Sequence, residues 1–226
     1  MFKDSAIIAA PNTMNLPIQA VQSQYYGDAY YRQPPPDLPS LLLKERIVYL
    51  GTRLAPAVTQ LIIAELLYLQ YDSPEKPIKI YINSLGEYPG LETAAFAICD
   101  TMNYIKPPIH TICIGAASGL AALILASGTK GCRASLPHAE ILLHDASGGA
   151  RGQATDIQIR AQEVLTNRRT MVELLSRHTG QTPEKIRKDI DRQFFMDPQE
   201  AKEYGIIDRI LESDSAIPQS LTAGVI

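Results

Sequence analysis

The 226-residue sequence predicts an α/β fold on a mainly parallel sheet, and three observations carry that prediction. From Arg46 onward, runs rich in β-branched residues alternate with longer stretches of helical spacing, the order that parallel sheets covered by helices require. The content is 46% apolar over a length that suits one domain with an appendage, which is enough to bury a substantial core. Finally, Thr111–Arg133 reads as a buried strand, a tight Gly-Ala-Ala-Ser turn and a helix. A nucleophile at such an elbow would find unpaired backbone N–H groups beside it.

Residues 1–40 read as an arm rather than as part of that core. They carry few periodic apolar positions, a tyrosine cluster (Tyr25, Tyr26, Tyr30, Tyr31) and Pro34, Pro35, Pro36 and Pro39. Proline fixes φ and removes a donor, so Pro34–Pro39 is expected to be extended. Arg46–Gly51 reads as the first strand and Ala57–Tyr71 as the first long helix, ended by Asp72-Ser73-Pro74. Ile78–Asn83, Leu91–Tyr104 and Ile109–Gly115 continue as strand, helix, strand. After the elbow, Ser135–His144 adds short strands. Asp156–His178 supports the longest helix, closed by Gly180. Glu184–Asp189 and Pro198–Tyr204 are short helices and Ile206–Leu211 a last strand, while residues 213–226 form a tail without clear period.

Composition excludes several function classes. A net charge of −3 and a pI near 5.8 offer no electrostatic footprint for nucleic acid or an anionic membrane surface. Cys99, Cys113 and Cys132 are widely spaced, and two lie in apolar runs, which suits buried thiols in a reducing compartment rather than a disulfide framework or a metal site. No apolar run reaches the roughly 20 residues of a membrane span, and no basic and apolar secretory signal opens the chain. The expected location is the cytoplasm, or an organelle lumen such as the plastid stroma if the N-terminus carries a transit segment.

The elbow resembles the active-site segment of the ClpP family, the proteolytic subunits of the ATP-dependent Clp protease. Ile112, Cys113, Gly115, Ala117, Lys130, Gly131 and Arg133 match, and the serine position falls on Gly119. Further blocks resemble the family in its own order: Leu43-Lys44-Glu45-Arg46, Tyr81-Ile82-Asn83-Ser84, the run from Gly152 to Ile157, His178-Thr179-Gly180-Gln181 and the run from Glu200 to Gly205. The resemblance implies a ClpP/crotonase-type spiral of strand–strand–helix units over residues 41–212. It also implies a protruding handle at about 144–180 and pore-side loops from the arm.

Three departures bear on activity. Gly119 has no side chain to attack with. Leu142-Leu143-His144-Asp145 aligns with the family histidine, so His144 keeps the general base, whereas Gln193 falls where the orienting carboxylate belongs. An amide can orient an imidazole but cannot stabilise imidazolium, and losing that charge from an intact triad costs about 10⁴ in kcat. The family's Asn-Ser-Pro-Gly-Gly, whose backbone completes the oxyanion hole, is replaced by a longer run through Gly86, Glu87, Gly90 and Leu91. Glu87 would add a like charge beside a developing oxyanion. Ser118 is the one nearby rescue nucleophile, but its place before a helix suits an N-cap.

The chain most resembles the non-catalytic ClpR subunits of photosynthetic lineages. That resemblance implies a structural or regulatory place in a seven-membered ring shared with active ClpP-type subunits, stacked on a second ring and capped by an AAA+ Clp chaperone that feeds in unfolded proteins. ATP would be used by the chaperone and no cofactor by this chain. The segment Gly148, Gly149, Arg151, Gln153, Thr155 and Asp156 is the expected ring–ring contact, with Thr155 or Asp156 capping the long helix. The alternatives are a serine peptidase using Ser118 and His144, and a crotonase-type acyl-CoA enzyme.

Overall fold

The computed structural model describes residues 37–145, 149 and 151–212. Among them lie seven helices and seven strands, which alternate from β1 to β4 as the sequence predicts. They run α1 (Leu38–Lys44), β1 (Ile47–Leu50), α2 (Pro56–Asp72), β2 (Ile78–Ser84), α3 (Glu92–Tyr104), β3 (Ile109–Ser118), α4 (Leu120–Ala126), β4 (Arg133–Ser135), β5 (Glu140–Leu143), α5 (Ala154–Thr179), α6 (Pro183–Ile190), β6 (Phe194–Met196), α7 (Pro198–Tyr204) and β7 (Arg209–Ile210). The strand order is β1-β2-β3-β4-β7, all parallel. A compact unit begins at Leu42 and contains every element from β1 onward.

β3 is the strand that makes the site. Its first half pairs with β4 through Thr111–Cys113, and its second half pairs with β5 through Ala116–Ser118, so the sheet forks along one ten-residue strand. The far branch ends in β6, antiparallel to β5. The core follows from periodicity. β2 alternates buried positions with half-buried or exposed ones, Ile78, Ile80 and Ile82 being inside, and all seven residues of α4 are buried.

Several expectations need correction. Leu38 and Pro39 open a helix instead of extending the arm; Pro39 stands in its first turn, where a missing N–H costs nothing. The rest of the arm up to residue 36, including its tyrosines, lies outside the described residues, as does the tail from 213. β6 is unanticipated, because three residues give no readable period. The last strand shrinks to Arg209–Ile210. Ser118 closes β3 rather than capping α4: the cap residue is Gly119, without a side-chain cap bond. Thr155 and Asp156 likewise fall inside the first turn of α5, whose cap residue is Gln153. Gly180 closes α5 as expected, at φ 80 with its N–H donated to Ser176.

Candidate functional site

The elbow keeps the backbone of a nucleophile turn. Gly119 sits at φ 56 and ψ −121, a region that costs a non-glycine residue of order 1–3 kcal/mol and that glycine occupies freely. Two bonds fix it: Gly119 donates its N–H to Leu142 O at 2.8 Å, and Ala122 donates to Gly119 O at 3.1 Å. A Cβ added at Gly119 would stand 2.6 Å from His144 Nε2 and 3.1 Å from Glu87 Oε2. The structure therefore brings three of the sequence-predicted site residues, Gly119, His144 and Glu87, to one point, and Gly119 places no side chain there.

His144 follows directly on β5, whose register with β3 sets Leu142 beside Ser118 and carries the imidazole to the elbow. Its Nδ1 bonds the carbonyl oxygen of Asp145 at 2.9 Å. A carbonyl only accepts, so Nδ1 carries the proton and, in the neutral ring, Nε2 is the acceptor aimed at the vacant position. The orienting task expected of Gln193 thus falls to a backbone carbonyl. Gln193 is exposed just ahead of β6, whose Phe194 pairs with Leu143, and the bond to Nδ1 is made by Asp145. Arg168 on α5 pairs with Asp145 at 3.1 Å and with Asp191, tying the residue after the histidine to the long helix.

The lengthened run after β2 separates into two parts. Gly86 and Glu87 lie on the elbow. Gly86 is at φ 82, and a Cβ there would meet Ser118 O at 2.5 Å. Gly86 O accepts from Leu54 N at 2.9 Å, and Leu54 and Glu87 form an isolated parallel bridge. Gly90 and Leu91 turn away: Leu91 N donates to Tyr88 O at 3.0 Å, and both residues line a cavity of about 170 Å³ against Arg160, Glu163 and Asn167 of α5. Buried Glu92 closes that turn by accepting from Gly90 N at 3.2 Å and from Asn167 Nδ2 at 3.4 Å. The four residues expected to act as one oxyanion strand serve two different places.

Glu87 is the residue whose role the sequence understated. It is 6% exposed, and its Oε2 accepts the N–H of Leu120 at 3.1 Å. It thus supplies from a distant loop the acceptor that Ser118 was expected to provide. Ser118, one residue before the point that His144 addresses, is itself buried.

Of the expected ring–ring segment, Gly148 lies outside the described residues. Gly149, Arg151, Gln153, Thr155 and Asp156 are all exposed, and no described atom lies within 4 Å of a Cβ placed on Gly149. No group of three or more His, Cys, Asp or Glu among the described residues could hold a metal ion. No helix among them is long and apolar enough to cross a membrane. Burial raises the thiols of Cys99, to about 12, and of Cys113, to about 11, which leaves both protonated and inert.

Comparison with known proteins agrees with this geometry. The sequence is 61% identical over 220 residues to an ATP-dependent Clp protease proteolytic subunit-like protein of Synechocystis sp., covering 90% of this chain and 98% of that one. It is 58% identical over 193 residues to the ATP-dependent Clp protease proteolytic subunit 2 of Gloeobacter violaceus, covering 85% and 88%. It is also 47% identical over 213 residues to the chloroplastic proteolytic subunit-related protein 3 of Arabidopsis thaliana, covering 91% of this chain and 64% of the plant protein. The Clp protease family model matches residues 35–214, and with it the parallel sheet, the elbow and the long helix, so this chain belongs to the Clp protease family.

Proposed function

We propose that this chain is a non-catalytic ring subunit of an ATP-dependent Clp protease, placed beside active serine peptidase subunits and contributing to assembly rather than to bond cleavage. One observation carries the reading: His144 Nε2 is aimed at Gly119, a position with no nucleophile. A serine hydrolase needs the nucleophile and its base within hydrogen-bond reach, and here the base is in place while the attacking atom is absent. The relatives named as proteolytic subunit-like or subunit-related support the same assignment. In this reading a partner AAA+ chaperone hydrolyses ATP and delivers unfolded protein, and the chain itself uses no cofactor. The chloroplastic relatives make the plastid stroma a natural location beside the cytoplasm.

The exposed half of α5 fits an assembly role. Ile157, Ile159 and Leu165 are 42%, 69% and 48% exposed on a helix whose buried residues all lie between Met171 and Leu175. Apolar side chains at those positions suit contact with another subunit.

The test is labelling with a fluorophosphonate probe, with mass analysis to identify the labelled subunit. In a complex co-assembled with an active relative, the probe is expected to mark the active subunit and leave this chain unmodified. Adduct on Ser118 that disappears in Ser118→Ala would make the chain a peptidase and overturn the proposal.

A further inference from the structure

The missing nucleophile is not the only obstacle at the elbow. In acyl transfer at a nucleophile elbow, the N–H of the residue after the nucleophile is an oxyanion donor. Here that residue is Leu120, and its N–H is already taken by Glu87 Oε2 at 3.1 Å. A carboxylate oxygen offers the amide what a developing oxyanion would offer: negative charge on an accepting oxygen.

We propose that Glu87 is a built-in occupant of the oxyanion position, closing the pocket to a peptide carbonyl whether or not a nucleophile is present. The inference deepens the non-catalytic reading and is separable from it. Four contacts hold the plug. Arg53 Nη1 donates to Glu87 O at 3.2 Å, and its guanidinium lies 5.7 Å from the Tyr88 ring centre. Leu54 N pins Gly86 O at 2.9 Å. Gly86, at φ 82, seats the loop directly on the Ser118 carbonyl, an approach that a side chain there would forbid. Glu87 is 6% exposed, so an incoming carbonyl would have to strip its carboxylate of the Leu120 N–H with little water to replace it. The peptide would be competing with an intramolecular acceptor that pays no association cost.

The experiment restores the nucleophile and varies the plug in the full-length chain. Fluorophosphonate labelling is compared in Gly119→Ser, Gly119→Ser/Glu87→Ala and Gly119→Ser/Glu87→Gln. In each, the introduced hydroxyl would displace fluoride from phosphorus while His144 takes its proton. Freeing one oxyanion donor is worth about 10²–10³ in rate, so the Ala double variant is expected to label at least about 10²-fold faster than Gly119→Ser alone. Glutamine keeps an oxygen that can accept from Leu120, so the Gln double variant should stay within about tenfold of the single variant. An Ala double variant no faster than Gly119→Ser overturns the proposal. A Gln double variant as fast as the Ala one also overturns it, because charge rather than occupancy would then be the block.

Hydrogen exchange guards against a folding artefact. Glu87→Ala in the otherwise native chain should accelerate exchange at the Leu120 amide at least about tenfold while protection in β2 and β3 is unchanged. Unchanged exchange at Leu120 would show that the amide was never held by Glu87. Labelling of the unsubstituted chain would defeat the non-catalytic reading without touching this comparison.

Discussion

The two helices that flank His144 along the chain differ in what surrounds them. α4 is short and lies wholly inside: Leu120, Ala121, Ala122, Leu123, Ile124, Leu125 and Ala126 are all buried, and the helix begins at the point His144 faces. α5 is 26 residues long, and its buried residues are confined to Met171, Val172, Leu174 and Leu175. The elbow holds its shape because it is core, so its geometry needs no side chain at Gly119. The first four turns of α5 bury no side chain among the described residues and touch the core only through polar contacts such as Asn167 with Glu92 and Arg168 with Asp145. Exposed apolar side chains there, Ile159 above all, are the kind of surface that suits a partner.

The comparison is broken most severely where the long helix rejoins the core. Arg133, on β4, donates to Asp208 at 2.6 and 2.9 Å and to His178 O, near the C-terminus of α5, at 3.0 Å. Asp208→Ala leaves that buried guanidinium with only the carbonyl oxygens of Ala126 and His178 as acceptors and should cost about 3 kcal/mol in urea unfolding at pH 7. Burial pushes the Asp208 carboxyl up. Hydrogen bonds from the Arg133 side chain and backbone, the Arg133 charge and the Gly131 N–H together outweigh it and hold the group below the usual carboxylate range. A depressed carboxyl contributes stability that is present above its unfolded pKa of about 4 and is lost as pH falls through its folded value. The wild-type chain should therefore lose this contribution below about pH 4. Asp208→Asn should show a shallower acid slope there, and an unchanged slope would remove Asp208 from the account.

A middle-sized effect belongs to the elbow. Gly119→Ser places a side chain at φ 56, with its Cβ 2.6 Å from His144 Nε2 unless the imidazole moves. It should destabilise the chain by about 1–3 kcal/mol in thermal or urea unfolding. It should also leave peptide hydrolysis undetectable, because Glu87 and the absent carboxylate partner remain. Rates near those of an active subunit from this single change would show that both are cosmetic.

The sequence revealed these regions unequally. The strand–helix alternation was legible because Ile78–Ser84 alternates with a period of two and Pro56–Asp72 is too long for a strand, although that helix is apolar on every side and buries Thr59, Ile62, Leu66 and Leu69 while leaving Leu61 and Leu67 exposed. Gly119 and His144 could be found because their neighbours match a motif. What could not be read was long-range pairing: no local pattern announces that Glu87 caps a helix beginning at Leu120, or that Asp145 takes the Nδ1 bond that Gln193 was expected to make. The three-residue β6 fell below the length at which alternation can be seen. Ser118 was misjudged for a related reason. A serine before a helix suggests a cap, yet the parallel pairing with Leu142 keeps it in the strand and moves the cap to Gly119.

The smallest effect on the chain itself should fall on the segment expected to hold rings together, and that is what makes it diagnostic. Gly149 is exposed, and no described atom lies within 4 Å of a Cβ placed there. Arg151 is exposed ahead of α5, whose first turn carries Asp156. Surface changes of this kind usually move stability by no more than about 0.5 kcal/mol, so Gly149→Trp and Arg151→Ala should leave urea unfolding of the isolated chain nearly untouched. If the segment meets its counterpart across a two-fold contact, each substitution acts on every copy at once, because a symmetric interface repeats the same residue on both sides. A bulky ring at 149 would hold apart two backbones that glycine lets approach, and loss of Arg151 would remove a charged donor to a facing carboxylate. Sedimentation velocity of the co-assembled complex should then show single rings or smaller species in place of double rings, with proteolysis lost although no residue near His144 has changed. Intact double rings in both variants would remove the segment from the interface and leave the exposed apolar residues of α5, Ile159 first, as the surface to test next.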